Sequence, residues 1–142
     1  MKQNKGFTLI EMLVVVGMIG VLAGAVLGAL GPSRNKARDA RVISGLNQLA
    51  AIAETGFDGN NYPASIADLK LLSGATSVIN DIKASMKDVE PTYNIGNASF
   101  AISSGLPSGG SWGSYCVDSA GKRMTGNRHS VIALNGECVE DR

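Results

Sequence analysis

Between Met12 and Gly31 the chain carries no charged residue, and every side chain is Val, Leu, Ile, Met, Ala or Gly. At 1.5 Å per residue these 20 residues make a helix of roughly 30 Å, the thickness of bilayer hydrocarbon. A helix apolar on every side must be enclosed by protein or by lipid. The chain has only 142 residues, 18% of them charged, so the remainder is too small and too polar to enclose it. A membrane segment follows. The length suits one domain. A formal net charge of +1 argues against a chain-wide electrostatic nucleic-acid binder, and no direct nucleic-acid binding is predicted. The 18 glycines follow no G-X-Y period, and two cysteines cannot build a four-cysteine zinc site.

An ordinary secretory signal has a basic start, a short apolar stretch and a small-residue cleavage site. Lys2 and Lys5 supply the first, and Ala23 and Ala25 fit the last, but the apolar run continues past those alanines. A plain signal anchor is the second reading. Neither accounts for Glu11, which stands at the mouth of the run after Phe7, Leu9 and Ile10. A charge at the centre of a membrane helix costs about 2.5–3.5 kcal/mol on insertion scales, less near the edge. Glu11 either stays hydrated at the interface or meets a positive partner inside an assembly.

Lys5-Gly6-Phe7-Thr8-Leu9-Ile10-Glu11, followed by the apolar run, resembles the class III signal of type IV pilins and pseudopilins. The resemblance covers about the first third of the chain. It implies that a prepilin peptidase cuts between Gly6 and Phe7 and that the new N-terminus on Phe7 is methylated. Cleavage would remove two lysines and lower the formal charge from +1 to −1, while the anchor stays. Glu11 of one subunit would then meet the Phe7 amine of a neighbour. Such a pair acts as a register device, because other offsets leave two charges unpaired. The implied fold is α+β: a long N-terminal helix packed on a small antiparallel sheet. The division is a leader (1–6), a transmembrane and assembly helix (7–31), an amphipathic stem helix (32–56) and a head (57–142). The implied partners are other copies in a filament, the peptidase, an assembly platform with its ATPase, and cytoplasmic membrane lipids. The implied location is the bacterial cytoplasmic membrane as a single-pass precursor, then an extracellular filament.

Gly20, Gly24 and Gly28 recur every four residues, a spacing that lets helices approach closely in lipid; glycine is also simply common in membrane helices. Each interior glycine weakens a helix by about 1 kcal/mol relative to Ala. Gly17 to Pro32 is therefore the expected place for loosening or kinking. Arg34, Lys36, Arg38 and Arg41 follow the run. The positive-inside rule alone would put the C-terminal part in the cytoplasm; the resemblance implies the opposite side. Beyond this collar, which reads as a solvated band beside headgroups, Val42, Leu46, Leu49 and Ala53 form an amphipathic helix stripe that Thr55-Gly56 ends.

Ser65 reads as the cap of a short helix with Asp68 three positions on, and Gly74 as its stop. Val78, Ile79, Ile82 and Met86 suggest another helix. From Thr92 the pattern becomes strand-like over 93–95, 99–103, 114–118 and 130–134, with Leu106 to Gly113, including Trp112, as an exposed loop. Three or four antiparallel strands are expected. Cys116 and Cys138 enclose a loop of about 22 residues. Joined, they would stabilise the head by about 3 kcal/mol; the alternative is two reduced core thiols. Outside the cytoplasm a disulfide is favoured, and Tyr115 to Gly121 before a C-terminal cysteine resembles the end region of many pilins.

No catalytic constellation emerges. His129 is the sole histidine, in a turn-like context with no G-x-S-x-G elbow. Asp118, Glu137, Glu140 and Asp141 are candidate calcium oxygens without EF-hand spacing. No P-loop is present. No cofactor, metal or enzymatic activity is expected. The function so read is that of a structural pilin of a type IV pilus-like filament. The alternatives are a pseudopilin of a type II secretion or DNA-uptake system and, from another class, a signal-anchored extracytoplasmic binding domain or enzyme.

Overall fold

The computed structural model describes residues 6–96, 98–109, 113–127 and 132–139. Lys2, Lys5, Trp112, His129, Glu140 and Asp141, all singled out above, lie outside the described residues. The chain forms two compact units, Met1–Arg34 and Asn35–Arg142. One helix, α1 (Leu9–Thr55, 47 residues), contributes to both.

In the first unit every described residue is exposed. Leu9, Leu13, Val21 and Leu27 each show roughly two-thirds or more of their surface. By length and composition α1 includes a segment able to cross a membrane, with none of it buried. The expected loosening near Pro32 is not seen, since helix is assigned without interruption through it. A proline's φ is itself helical, so the ring fits within helix at the cost of one hydrogen bond and of crowding against the carbonyl four residues back.

The second unit is built on the apolar stripe of α1. Val42, Leu46, Leu49 and Ala53 are fully buried and Ala50 nearly so, at the positions that helical periodicity assigns. Two short helices pack on it, α2 (Ile66–Leu71) and α3 (Ala75–Ser85). Ser65 caps α2: its Oγ accepts the Asp68 N–H at 3.2 Å and donates to Asp68 Oδ2 at 2.7 Å. Gly74 does not stop α2. That helix ends at Leu71, Leu72 is extended, and Gly74, at φ 85°, leads into α3. Gly45 is a true close approach. A Cβ there would stand 2.7 Å from Ile82 Cγ1, so only glycine lets α3 lie this near α1.

The main sheet is antiparallel with order β1 (Thr92–Gly96), β2 (Ser99–Gly105), β3 (Gly113–Asp118) and β4 (Arg123–Asn127). A second, two-stranded sheet pairs β5 (Ile132–Leu134) with β6 (Glu137–Val139). The expectation of three or four strands thus describes the main sheet. It omits β4 and β6, and it assigns the segment now seen as β5 to the wrong sheet. Alternation sorts the faces. Phe100, Ile102, Tyr115 and Val117 join the helix-side core with Leu46, Leu49, Leu69, Ile79 and Ile82. Ala101 and Cys116 face the other way and pack with Cys138 of β6 and with Met124. The sheet is therefore covered on both faces, by helices on one and by the C-terminal hairpin on the other.

Leu46→Ala is expected to cost the head about 2–5 kcal/mol through lost burial and the cavity left behind, read as a lower denaturant midpoint in detergent. A second prediction concerns Tyr93, whose hydroxyl is buried without a hydrogen-bond partner. Burial first, then Tyr62, Asp68 and Glu54, push its phenol up to about 12. A raised folded value gives stability that is intact below the ordinary value near 10 and is lost as pH rises through about 12. Tyr93→Phe should therefore leave stability at neutral pH undiminished and flatten the alkaline decline, as measured by unfolding midpoints across pH.

Candidate assembly site

The N-terminal residues that carry the sequence reading converge on the start of α1. Gly6, Phe7 and Thr8 precede the helix, which begins at Leu9. Thr8 and Glu11 form a reciprocal cap. The Glu11 N–H donates to Thr8 Oγ1 at 3.3 Å, and the Thr8 N–H donates to Glu11 Oε2 at 2.8 Å. The Thr8 hydroxyl also donates to Glu11 Oε2 at 2.8 Å. This is a capping box, which satisfies N–H groups that a helix start otherwise leaves open. It leaves the Gly6–Phe7 bond outside the helix, and Phe7 is 80% exposed. The carboxylate that seemed misplaced in sequence thus has a local partner in its own chain. The pattern T-x-x-E before an apolar run was a legible signal for this, and the sequence reading did not use it.

Gly20, Gly24 and Gly28 lie on the exposed part of α1, with no atom within 4 Å of where a Cβ would sit. Their spacing leaves an open strip along the helix. Nothing among the described residues fills it.

The C-terminal elements form a second, tightly joined region. Cys116 and Cys138 are disulfide-bonded, with Cα atoms 5.8 Å apart, and both are fully buried. Asp118, 4% exposed, clamps the same strands. Its Oδ1 accepts the Lys122 N–H at 2.9 Å and its Oδ2 the Cys138 N–H at 3.2 Å. Lys122 Nζ then donates to the Cys138 carbonyl at 2.8 Å. Asp118, a candidate calcium oxygen by sequence, is thus bound to backbone N–H groups. Among the described residues no group of three His, Cys, Asp or Glu is arranged to hold a metal. The hairpin turn is Asn135-Gly136, with φ of 49° and 79°. Positive φ at both positions is what a tight two-residue hairpin requires, and Asn-Gly is its strongest sequence signal.

Asn47 joins the two layers of the head. Its Oδ1 accepts from Tyr115 OH at 3.2 Å and from Arg123 Nε at 2.9 Å, and its Nδ2 donates to the Ile43 carbonyl at 2.8 Å. Nothing in the local sequence marks it, because its partners are 68 and 76 residues away.

Residues 1–27 match the family model described as the prokaryotic N-terminal methylation motif. The chain is 37% identical over 70 residues to the type IV wide pilus major component of Thermus thermophilus, covering 49% of this chain and 53% of that protein. It is 36% identical over 78 residues to the type II secretion system core protein G of Klebsiella pneumoniae, covering 54% and 56%. The core protein G of Pectobacterium carotovorum is 35% identical over 71 residues, covering 49% and 46%. The chain spans about half the length of the curated relatives it matches. No solved structure matches.

Asp118→Ala would leave the buried Cys138 N–H without its acceptor, at a cost of about 1–3 kcal/mol. The expected outcome is faster reduction of the Cys116–Cys138 bond by an added thiol, followed by thiol labelling over time.

Proposed function

We propose, on the premise that the chain is of the type IV pilin and pseudopilin family, that it is a structural subunit of a filament that assembles through its N-terminal helix. The observation that carries the reading is the capping box of Thr8 and Glu11. It starts the helix two residues past the Gly6–Phe7 bond and leaves that bond in open backbone, where a peptidase can grip it. Hydrolysis there gives a Gly6 carboxylate and a Phe7 ammonium, which is then methylated. Residues 1–6 are the leader, 7–31 the membrane and assembly helix, 32–56 the stem and 57–142 the head.

Glu11 supplies register. The carboxylate and the Phe7 amine are four residues apart, about 6 Å of helix rise. Pairing Glu11 of one subunit with the amine of the next staggers neighbours on that scale, stretched by side-chain reach. Both charges enter a medium where an unpaired one is costly, so the offset that joins them is preferred. The open strip at Gly20, Gly24 and Gly28 supports close helix packing once neighbours are in register. The peptidase, an assembly platform with its ATPase and the membrane lipids are the partners this reading requires. A pseudopilin of a secretion system is the second reading, favoured by the likeness to core protein G.

The intact mass of membrane-extracted protein should correspond to a chain beginning at Phe7 plus one methyl group, and shearing cells should release the protein in pelleted fibres. Glu11→Ala should lower incorporation into fibres while leaving insertion and cleavage intact. Solitary molecules beginning at Met1 would show a plain anchor instead.

A further inference from the structure

Two patches of opposite charge on the second unit have no ion-pair partner among the described residues. Arg38 and Arg41 share one face of α1 and are exposed. The ion pairs among the described residues involve only Lys70, Lys83, Asp88 and Glu90. Asp39, the carboxylate nearest in sequence, is turned to Ser108, accepting its N–H at 2.8 Å and also its hydroxyl. Asp81 borders the same groove of about 450 Å³ as Arg38 and Arg41, yet pairs with neither.

At the other end of the stem Glu54 and Asp68 are exposed. Glu54 accepts from the Tyr62 hydroxyl at 3.0 Å, and Asp68 accepts from the Ser65 hydroxyl. These are neutral donors, so both negative charges remain. Their partners Tyr62 and Ser65 stand three residues apart in one segment, which brings the two carboxylates to the same part of the head. The nearest cation in sequence, Lys70, is bound to Glu90 at 2.9 Å.

The two patches cannot neutralise each other within one molecule. Sixteen residues separate Arg38 from Glu54, which is about 24 Å of helix rise, and the two positions lie about 160° apart around α1. That separation exceeds the reach of the two side chains. Patches of opposite sign at opposite ends and on opposite sides make a surface that is not self-complementary. Joining such surfaces is a heterologous contact, which repeats into a ring where its rotation closes and into an open helical fibre where it does not.

We infer that Arg38 and Arg41 of one copy dock against Glu54 and Asp68 of another copy in the fibre. The inference rests on the filament reading and adds a contact between heads to the one between helices. Each exposed pair is weak alone. Repeated along a fibre, the pairs select which neighbour and which offset are compatible, and they weaken as salt shortens the screening length to about 3 Å at 1 M.

The test uses full-length protein in cells that carry the processing and assembly machinery, with sheared, pelleted fibre as the readout. Arg38→Glu with Arg41→Glu reverses one patch. Glu54→Lys with Asp68→Asn reverses the other while keeping an acceptor for Ser65. Each alone is expected to lower pelleted protein about tenfold, and the combination to restore it to within about twofold of wild type, because opposite charges then face each other again. Intact mass confirming the Phe7 start and oxidised cysteines establishes that each variant is processed and folded. Should a reversal fail that check, Arg38→Gln with Arg41→Gln takes its place, with a several-fold loss expected. Wild-type fibres that are indifferent to the reversals, or a combination that fails to recover, overturn this contact alone. Absence of wild-type fibres overturns the filament reading and this contact with it.

Discussion

An uncharged apolar run of helix that no described residue covers is the constraint on which everything else depends. From Gly6 to Arg34 all described residues are exposed, and by length and composition the helix is able to cross a membrane. The rest of the molecule is arranged around that requirement. The helix continues past the apolar run, changes to an amphipathic stripe and buries that stripe under α2, α3 and the main sheet. One element thus meets two solvents. The break between all-round apolar and one-sided apolar composition decides where each begins.

The head solves the opposite problem, since it is small and must hold a sheet with two covered faces. On the helix side, aliphatic side chains do most of the filling, with Phe100 and Tyr115 among them. Phe100 packs edge-on to Tyr62 at 4.8 Å between ring centres, and Tyr62 tilts against Phe57 at 4.7 Å. On the far side the space is narrow, and small residues suit it: Ala101, the disulfide and the clamp of Asp118 and Lys122. A hairpin of two three-residue strands would not persist by itself. Covalent linkage and charge-assisted hydrogen bonds to backbone hold it in place.

Much of this was legible in the residues. The stripe Val42, Leu46, Leu49 and Ala53 marks the buried face of the stem, Ser65 marks a cap, and the runs around Tyr93, Phe100 and Tyr115 mark β1, β2 and β3. Local signals sufficed because each depends on near neighbours. Strand β4, Arg123–Asn127, escaped because an edge strand whose one apolar side chain is Met124 has no apolar alternation to reveal it. The partners of Asn47, Asp39 and Asp118 escaped for another reason. A hydrogen bond across 68 or 69 residues depends on tertiary placement that no window of sequence contains. At the start of α1 the bonds between Thr8 and Glu11 escaped because Glu11 reads first as a charge and only second as a helix cap.

Exposed hydrocarbon on this scale disfavours a dissolved monomer. If the chain builds a fibre, the pool of building blocks is two-dimensional and confined to the bilayer, and supply at the outer end is nil. Growth must then occur at the root, and a snapped distal end is beyond repair. Length would report how fast the membrane feeds the base, not how crowded the surrounding water is.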